Sequence, residues 1–502
     1  MATFALFVWP LIAIALFNAL GRMKGVIWAV VLPALTLPEK VVYDLPGLPP
    51  YNKDMAIVAG LLLGLLVTQS RKDNTAAPAV ADPFAKKAIF GLAGLLLVSG
   101  FLTVVTNREP LVYGPVTLPG LGIRDLISMT SASLLLLATY LIAQRHLSTP
   151  EAHTELLKVF VIAGLIYTLP ILFEARMSPQ LHRWTYGFFQ HSWQQHIRGG
   201  YFRPIVFMPH GLWIGILLTC CAMAAFVLLK NKVKSGGPRI QFFLAGLWLL
   251  GVLLLSRNLG AAALAAVFVP VLWFLRFKVQ IWIAIAIMAW FVIHPALRQT
   301  ELVTFENASN YVGRISVERQ ESFDYRIENE AAFLERAALK PVAGWGIWAR
   351  WRIRDPITGE DISTSDGRWI SVLGERGWIG FIAYFGLLTL PTFMLLRAAR
   401  RWEMTQATAG LGLIMAAVIA YQIPNNTIGP LVLVVAGALS GFIMYGAGES
   451  NAASQDLDET EPPRQSRYTR FPDGTQSRNR EPQRDRNRLR PVKSNLRRSF
   501  SS

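Results

Sequence analysis

Long apolar runs separated by short polar breaks dominate this chain. The runs fall at 3–20, 25–37, 55–70, 88–106, 126–144, 157–173, 205–229, 241–255, 259–275, 279–295, 372–396, 408–423 and 429–446. Most approach the roughly 20 residues that an α-helix needs to cross about 30 Å of hydrocarbon. The runs at 25–37 and 241–255 are short, so the pattern predicts about 12–13 spans. The fold class expected is all-α, a polytopic transmembrane helix bundle. The first run continues into further spans without an A-x-A-like cleavage site and reads as a retained helix.

The polar breaks alternate in charge. Arg22, Lys24, Arg71, Lys72, Lys86, Lys87, Arg145, Lys230, Lys232, Lys234, Arg239, Arg276, Lys278, Arg397, Arg400 and Arg401 all fall in every second break. Short basic loops stay cytoplasmic. The other breaks, 38–54, 107–125, 174–204, 297–371 and 424–428, then face outward, with the N-terminus external. The segment 297–371 is too polar for lipid. Within it "RIENEAAFLERAALKP" puts Ile327, Ala331, Leu334 and Ala338 on one helical stripe and stops at Pro341, which predicts a helix lying on the bundle.

Composition agrees: the chain is 53% hydrophobic and 16% charged, where a soluble domain is about a quarter charged. The membrane body therefore covers 1–446. The remainder, 447–502, is rich in Arg, Ser, Asn and Pro, lacks the apolar content to pack, and is expected to be a disordered cytoplasmic tail. From Arg464 onward it supplies roughly half of the net +17. Attraction to anionic lipid or topology anchoring suits it best; docking of a partner protein is the alternative, and nucleic acid is not an expected partner. The only cysteines, Cys220 and Cys221, are adjacent within a span and poorly placed to bridge. No disulfide framework, zinc cluster or cofactor is indicated.

Candidate chemistry lies in the outward breaks. The loop 174–204 interleaves Glu174, Arg176, His182, Arg183, His191, His196, Arg198 and Arg203 with seven aromatic residues. A headgroup-level belt is one reading. The other is an anion site: Pro204 suits a first helical turn, which would set Arg203 at a helix N-terminus. His210 lies further in, where an ionisable side chain is costly unless it faces a wet cavity. Arg257 is the single charge in the tight turn "LLSRNLGAA", either snorkelling or pointing into the same cavity. Asp366, Arg368 and Glu375 line the approach to the next span, with Glu375 and Arg376 close to membrane depth.

The order Arg326, helix, "PVAGWG", polar loop and "LGERGWIG" resembles the O-antigen ligase and O-antigen polymerase superfamily of bacterial envelopes. Arg326 precedes Pro341 by about the family's spacing. "RGGYFRPIVFMPHGLW" resembles its Arg-Gly then Pro-Asn approach to a helix, with His210 where Asn is usual, and "LLSRN" resembles its leu-x-ser-arg turn. Ligases carry a His before "LGERGWIG"; here that position is Asp366. The resemblance covers roughly 170 to 400. It implies a multi-pass protein of the bacterial inner membrane. Such a protein transfers a glycan from undecaprenyl pyrophosphate to a sugar hydroxyl on the periplasmic face, without a metal. Polymerisation of repeat units for exopolysaccharide, capsule or O-antigen is the first expectation. Ligation to a lipid A core or protein, or transport by a flippase, is the alternative, and chain-length regulators or export proteins are possible partners. Arg203, Arg257 and Arg326, with Arg198 next, are expected to bind pyrophosphate, and Arg368 and His210 to contact substrate. Asp366 is the expected base, with Glu375 and His210 as rivals.

Overall fold

A computed structural model describes residues 1–43, 50–68, 81–198, 200–235, 240–300, 306–314 and 317–446. The basic tail from 447, Arg71, Lys72, Arg239 and the side chains of Arg198, Lys232 and Lys234 lie outside the described residues. In chain order the elements are α1 (Ala2–Thr36), α2 (Lys53–Thr68), α3 (Pro83–Val105), the hairpin β1 (Leu111–Tyr113) and β2 (Val116–Leu118), α4 (Ile123–His146), α5 (Pro150–Met177) and α6 (Leu181–Tyr186). There follow the two-residue ladder β3 (Ile197–Arg198) and β4 (Tyr201–Phe202), α7 (Gly211–Ser235), α8 (Ile240–Leu255), α9 (Leu259–Phe274) and α10 (Phe277–Gln299). The last are α11 (Glu306–Gly313), α12 (Val317–Ala338), α13 (Arg368–Ala398), α14 (Gln406–Tyr421) and α15 (Pro430–Tyr445). The fold is an all-α polytopic bundle. Among the described residues seven helices are long and apolar enough to cross a membrane, and four shorter apolar helices accompany them.

The runs 3–20 and 25–37 share one element, but α1 reverses at Gly21, whose φ is 76°. Phe17 packs on Gly25 across the reversal. Tyr51 Oη donates to Leu6 O (3.1 Å) and Lys53 Nζ to Ala34 O (2.9 Å), so both outer ends of the hairpin meet the same loop. Two short apolar helices thus replace one straight helix across these two runs.

The breaks segregate to two ends of the bundle. At one end, Arg22 donates to Thr68 O (2.9 Å), and buried Asp82 caps α3 while pairing with Arg397 (3.2 Å) and Arg401 (2.6 Å). Lys230 donates to Leu272 O (2.8 Å), at the end of α9. The less basic loops gather at the other end. Tyr186 Oη reaches Thr36 O (2.6 Å), Arg350 donates to Pro119 O (2.7 Å) and Glu109 O (2.9 Å), and the Arg368 N–H reaches Asn425 O (2.9 Å).

Three local expectations need correction. Helix α7 starts at Gly211, not Pro204. Residues 204–210 turn instead, because buried Glu174 accepts the N–H groups of Ile205 (2.9 Å) and Val206 (2.7 Å) and His210 Nδ1 accepts that of Leu212 (3.1 Å). Arg326 lies inside α12, which begins at Val317. The buried stripe of α12 is Phe333, Leu334 and Ala337, while Ala331 and Ala338 are exposed. Phe333 docks on Trp351 with ring centroids 5.0 Å apart, and that contact sets the helix rotation.

Candidate functional site

Helix α13 is broken at Gly377, where φ is 63°. The break is held from outside by the turn Pro341–Gly346. Trp345 N–H donates to Gly374 O (2.8 Å), Gly346 N–H to Glu375 O (2.9 Å), and Trp378 N–H to Pro341 O (2.7 Å). The two motifs "PVAGWG" and "LGERGWIG" therefore bond directly to one another. Glycine is required on both sides. A Cβ at Gly344 would sit 2.6 Å from Arg376 N, and one at Gly377 would collide with Val342 O. The turn is itself seated on α3: Thr103 donates to Ala343 O (2.6 Å) and Asn107 to Gly344 O (2.8 Å). Arg350, fully buried, ties the following loop to the segments flanking the β1–β2 hairpin.

Interrupted helices survive at membrane depth where they are enclosed by protein or line a cavity. Here the break borders a cavity of about 690 Å³. Arg368, Glu375, Arg376 and Tyr384 of α13 line it, and Lys53 and Asp54 at the start of α2 face it as well. The Arg368 guanidinium lies 5.3 Å from the Tyr384 ring centre, and its Nε is buried with no hydrogen-bond partner among the described residues. Arg376 reaches Ser99 Oγ and Met129 O at 3.4 Å each. Glu39, Lys40, Asn52, Ser131, Ser133 and Thr427 add further polar groups, and the rest of the wall is apolar, including Leu96, Ile216, Leu217, Val432 and Val435. Arginines set beside a broad apolar wall suit an anionic headgroup with a hydrocarbon chain.

The other expected residues form groups beside this cavity and do not line it. Arg326 and Asp366 pair at 3.2 Å, with the 364–366 strap fixed to α12 by Thr364 N–H donating to Asn329 Oδ1 (3.0 Å). Burial pushes the Asp366 carboxyl above the usual range, against the opposing pull of Arg326. Buried Arg203 donates through Nε to Asn258 Oδ1 (3.0 Å), and Nη2 reaches the same oxygen. Gly211 packs against the Arg203 side chain, so that arginine does flank the start of α7. Arg257 takes a left-handed backbone (φ 56°) and stacks 3.9 Å over exposed Tyr201. His210 lies against His191 and His196, with ring centroids 4.6 and 5.1 Å away. Its neighbours Met208 and Pro209 do line the cavity.

Sequence reading missed Lys53, Asp54 and Tyr384, which stand in or beside apolar runs and gain meaning only through α13. Arg376 was visible beside Glu375. The histidine triad leaves no periodic trace, since its spacings are set by loop geometry. Comparison with known proteins finds no matching family model and no matching curated relative.

Proposed function

We propose that this protein is a membrane glycosyltransferase of the bacterial inner membrane. It polymerises undecaprenyl-pyrophosphate-linked repeat units on the periplasmic face, with its N-terminus periplasmic and its tail cytoplasmic. The observation that carries the reading is the broken α13, which brings Arg368, Arg376 and Glu375 to one cavity that also has a broad apolar wall. The apolar wall accommodates prenyl chain. The arginines hold the pyrophosphate by charge-assisted, bidentate hydrogen bonds. Glu375 accepts the proton of the acceptor hydroxyl. The acceptor oxygen then bonds to the anomeric carbon while the bond to the pyrophosphate oxygen breaks, and the arginines balance the charge left on the leaving group. In this reading the base role passes from Asp366 to Glu375, the carboxylate that lines the cavity, and the Arg326–Asp366 pair holds the strap leading into Arg368. Exposed Trp184, Trp193 and Tyr201 offer ring faces for the growing glycan.

Purified protein incubated with lipid-linked repeat units and no second acceptor should make a ladder of products. Products that form only after a lipid A core is added would make it a ligase. Movement of intact donor between leaflets without a new glycosidic bond would make it a flippase.

A further inference from the structure

We propose that His191, His196 and His210 bind one divalent transition-metal ion of the zinc class, with an oxygen ligand completing the shell. The candidate ligand nitrogens all lie within 4.8 Å of one another. A tetrahedral zinc site with bonds near 2.0–2.1 Å places its nitrogens about 3.3 Å apart, a closure that small side-chain rotations supply. The three residues come from separate local structures that the fold drives together. His191 follows the Gly187 reversal (φ 90°), His196 ends the short 3-10 turn Trp193–His196, and His210 precedes α7. His196 is buried and donates Nδ1–H to Ser192 O (2.9 Å), which fixes its tautomer and turns Nε2 to the cluster. Such a backbone anchor on the far nitrogen is the usual support of a ligating imidazole. His210 spends Nδ1 on capping Leu212, so it ligates by releasing that cap or by turning its ring.

Three neutral imidazoles select zinc, copper or nickel over magnesium or calcium. The charge nearby bears on the fourth position. Lys40 acts on His191, and the backbone N–H of Arg203 donates to His196 O (2.8 Å) while the Arg203 side chain flanks Gly211. The Lys40 charge beside a dication favours an anionic oxygen over water there. The ion would staple the loop 187–210 to the start of α7 and thereby fix Met208 and Pro209 in the cavity wall. This site is independent of the glycosyl-transfer reading.

The test uses the full chain in detergent, purified without a polyhistidine tag, and titrated with cobalt(II) and with zinc. One equivalent should bind, with the visible absorption bands of four-coordinate cobalt displaced by zinc. H191Q, H196Q and H210Q should each weaken binding by at least about tenfold. Zinc should also slow proteolysis of the loop in the wild type and not in H191Q. Absence of any cobalt bands in the wild type overturns the proposal, whatever the variants do. So does a triple variant, H191Q/H196Q/H210Q, that binds the same equivalent with the same spectrum.

Discussion

At the scale of single residues, the charged side chains divide by what they touch. Arg368 borders the cavity and carries a buried Nε with no protein partner among the described residues, whereas Arg350, fully buried, spends its donors on backbone carbonyls. Arg368→Ala is therefore expected to cut turnover about 100-fold or more with little change in melting temperature; assay of ladder formation beside a thermal melt checks this. Glu174→Ala should do the reverse. It strips an acceptor from the N–H groups of Leu181, Ile205 and Val206, a loss on the order of 3 kcal/mol, read as a lower melting temperature and faster proteolysis of the loop. Asp366 carries a pH signature. Its folded pKa is raised, so its contribution to stability is full below the unfolded value and is lost as pH rises through the folded one. Asp366→Asn should remove that pH dependence, leaving a melting temperature that varies less than wild type across the carboxylate range. Equal slopes in the two proteins would contradict the assignment.

Among the elements, the apolar runs were legible because burial in lipid imposes long hydrophobic segments whatever the tertiary fold. The reversal at Gly21 was legible too, through Arg22 and Lys24 between two short runs. The break in α13 was not. "LGERGWIG" shows a glycine and two charges, but the reason for the break is the backbone of Pro341 and Val342, remote in sequence. The start of α7 was misplaced for a similar reason: Pro204 satisfies a local rule, and Glu174 overrides it from the previous helix. Gly377→Ala should destabilise the protein by more than about 2 kcal/mol, from left-handed strain and collision with Val342 O. Gly91→Ala on α3, with open space around its Cβ, should be neutral. Denaturant unfolding in mixed micelles compares the two.

For the whole molecule, charge alternation suggested two sets of loops, and the contacts of Arg22, Asp82 and Lys230 follow that grouping among the described residues, while the grouping of the site residues was only partly readable. Glu375 and Arg376 stood out as ionisable residues near membrane depth. Their companions on α2 come from the far end of the chain, and one sequence gives no sign of that pairing. The direction of the bundle is open to measurement with the native cysteines left in place, since Cys220 and Cys221 are buried. A cysteine at Ile357, which is 79% exposed, should react with impermeant maleimide on intact spheroplasts. One at Arg400 should react only after permeabilisation. The opposite result would invert the topology.

The cavity wall runs from Ala34 to Val435, so it draws on both ends of the membrane body. A ribosome making this chain delivers α1 and α2 first and α15 last. Until α15 emerges, Lys53 and Asp54, and then Arg368, Glu375 and Arg376, lack part of the wall that encloses them. Biogenesis must hold these charges until α15 settles against α4 and α13. A nonsense codon between α13 and α15 would leave an open, charge-bearing cleft without its last wall, a substrate for membrane quality control rather than a weaker enzyme.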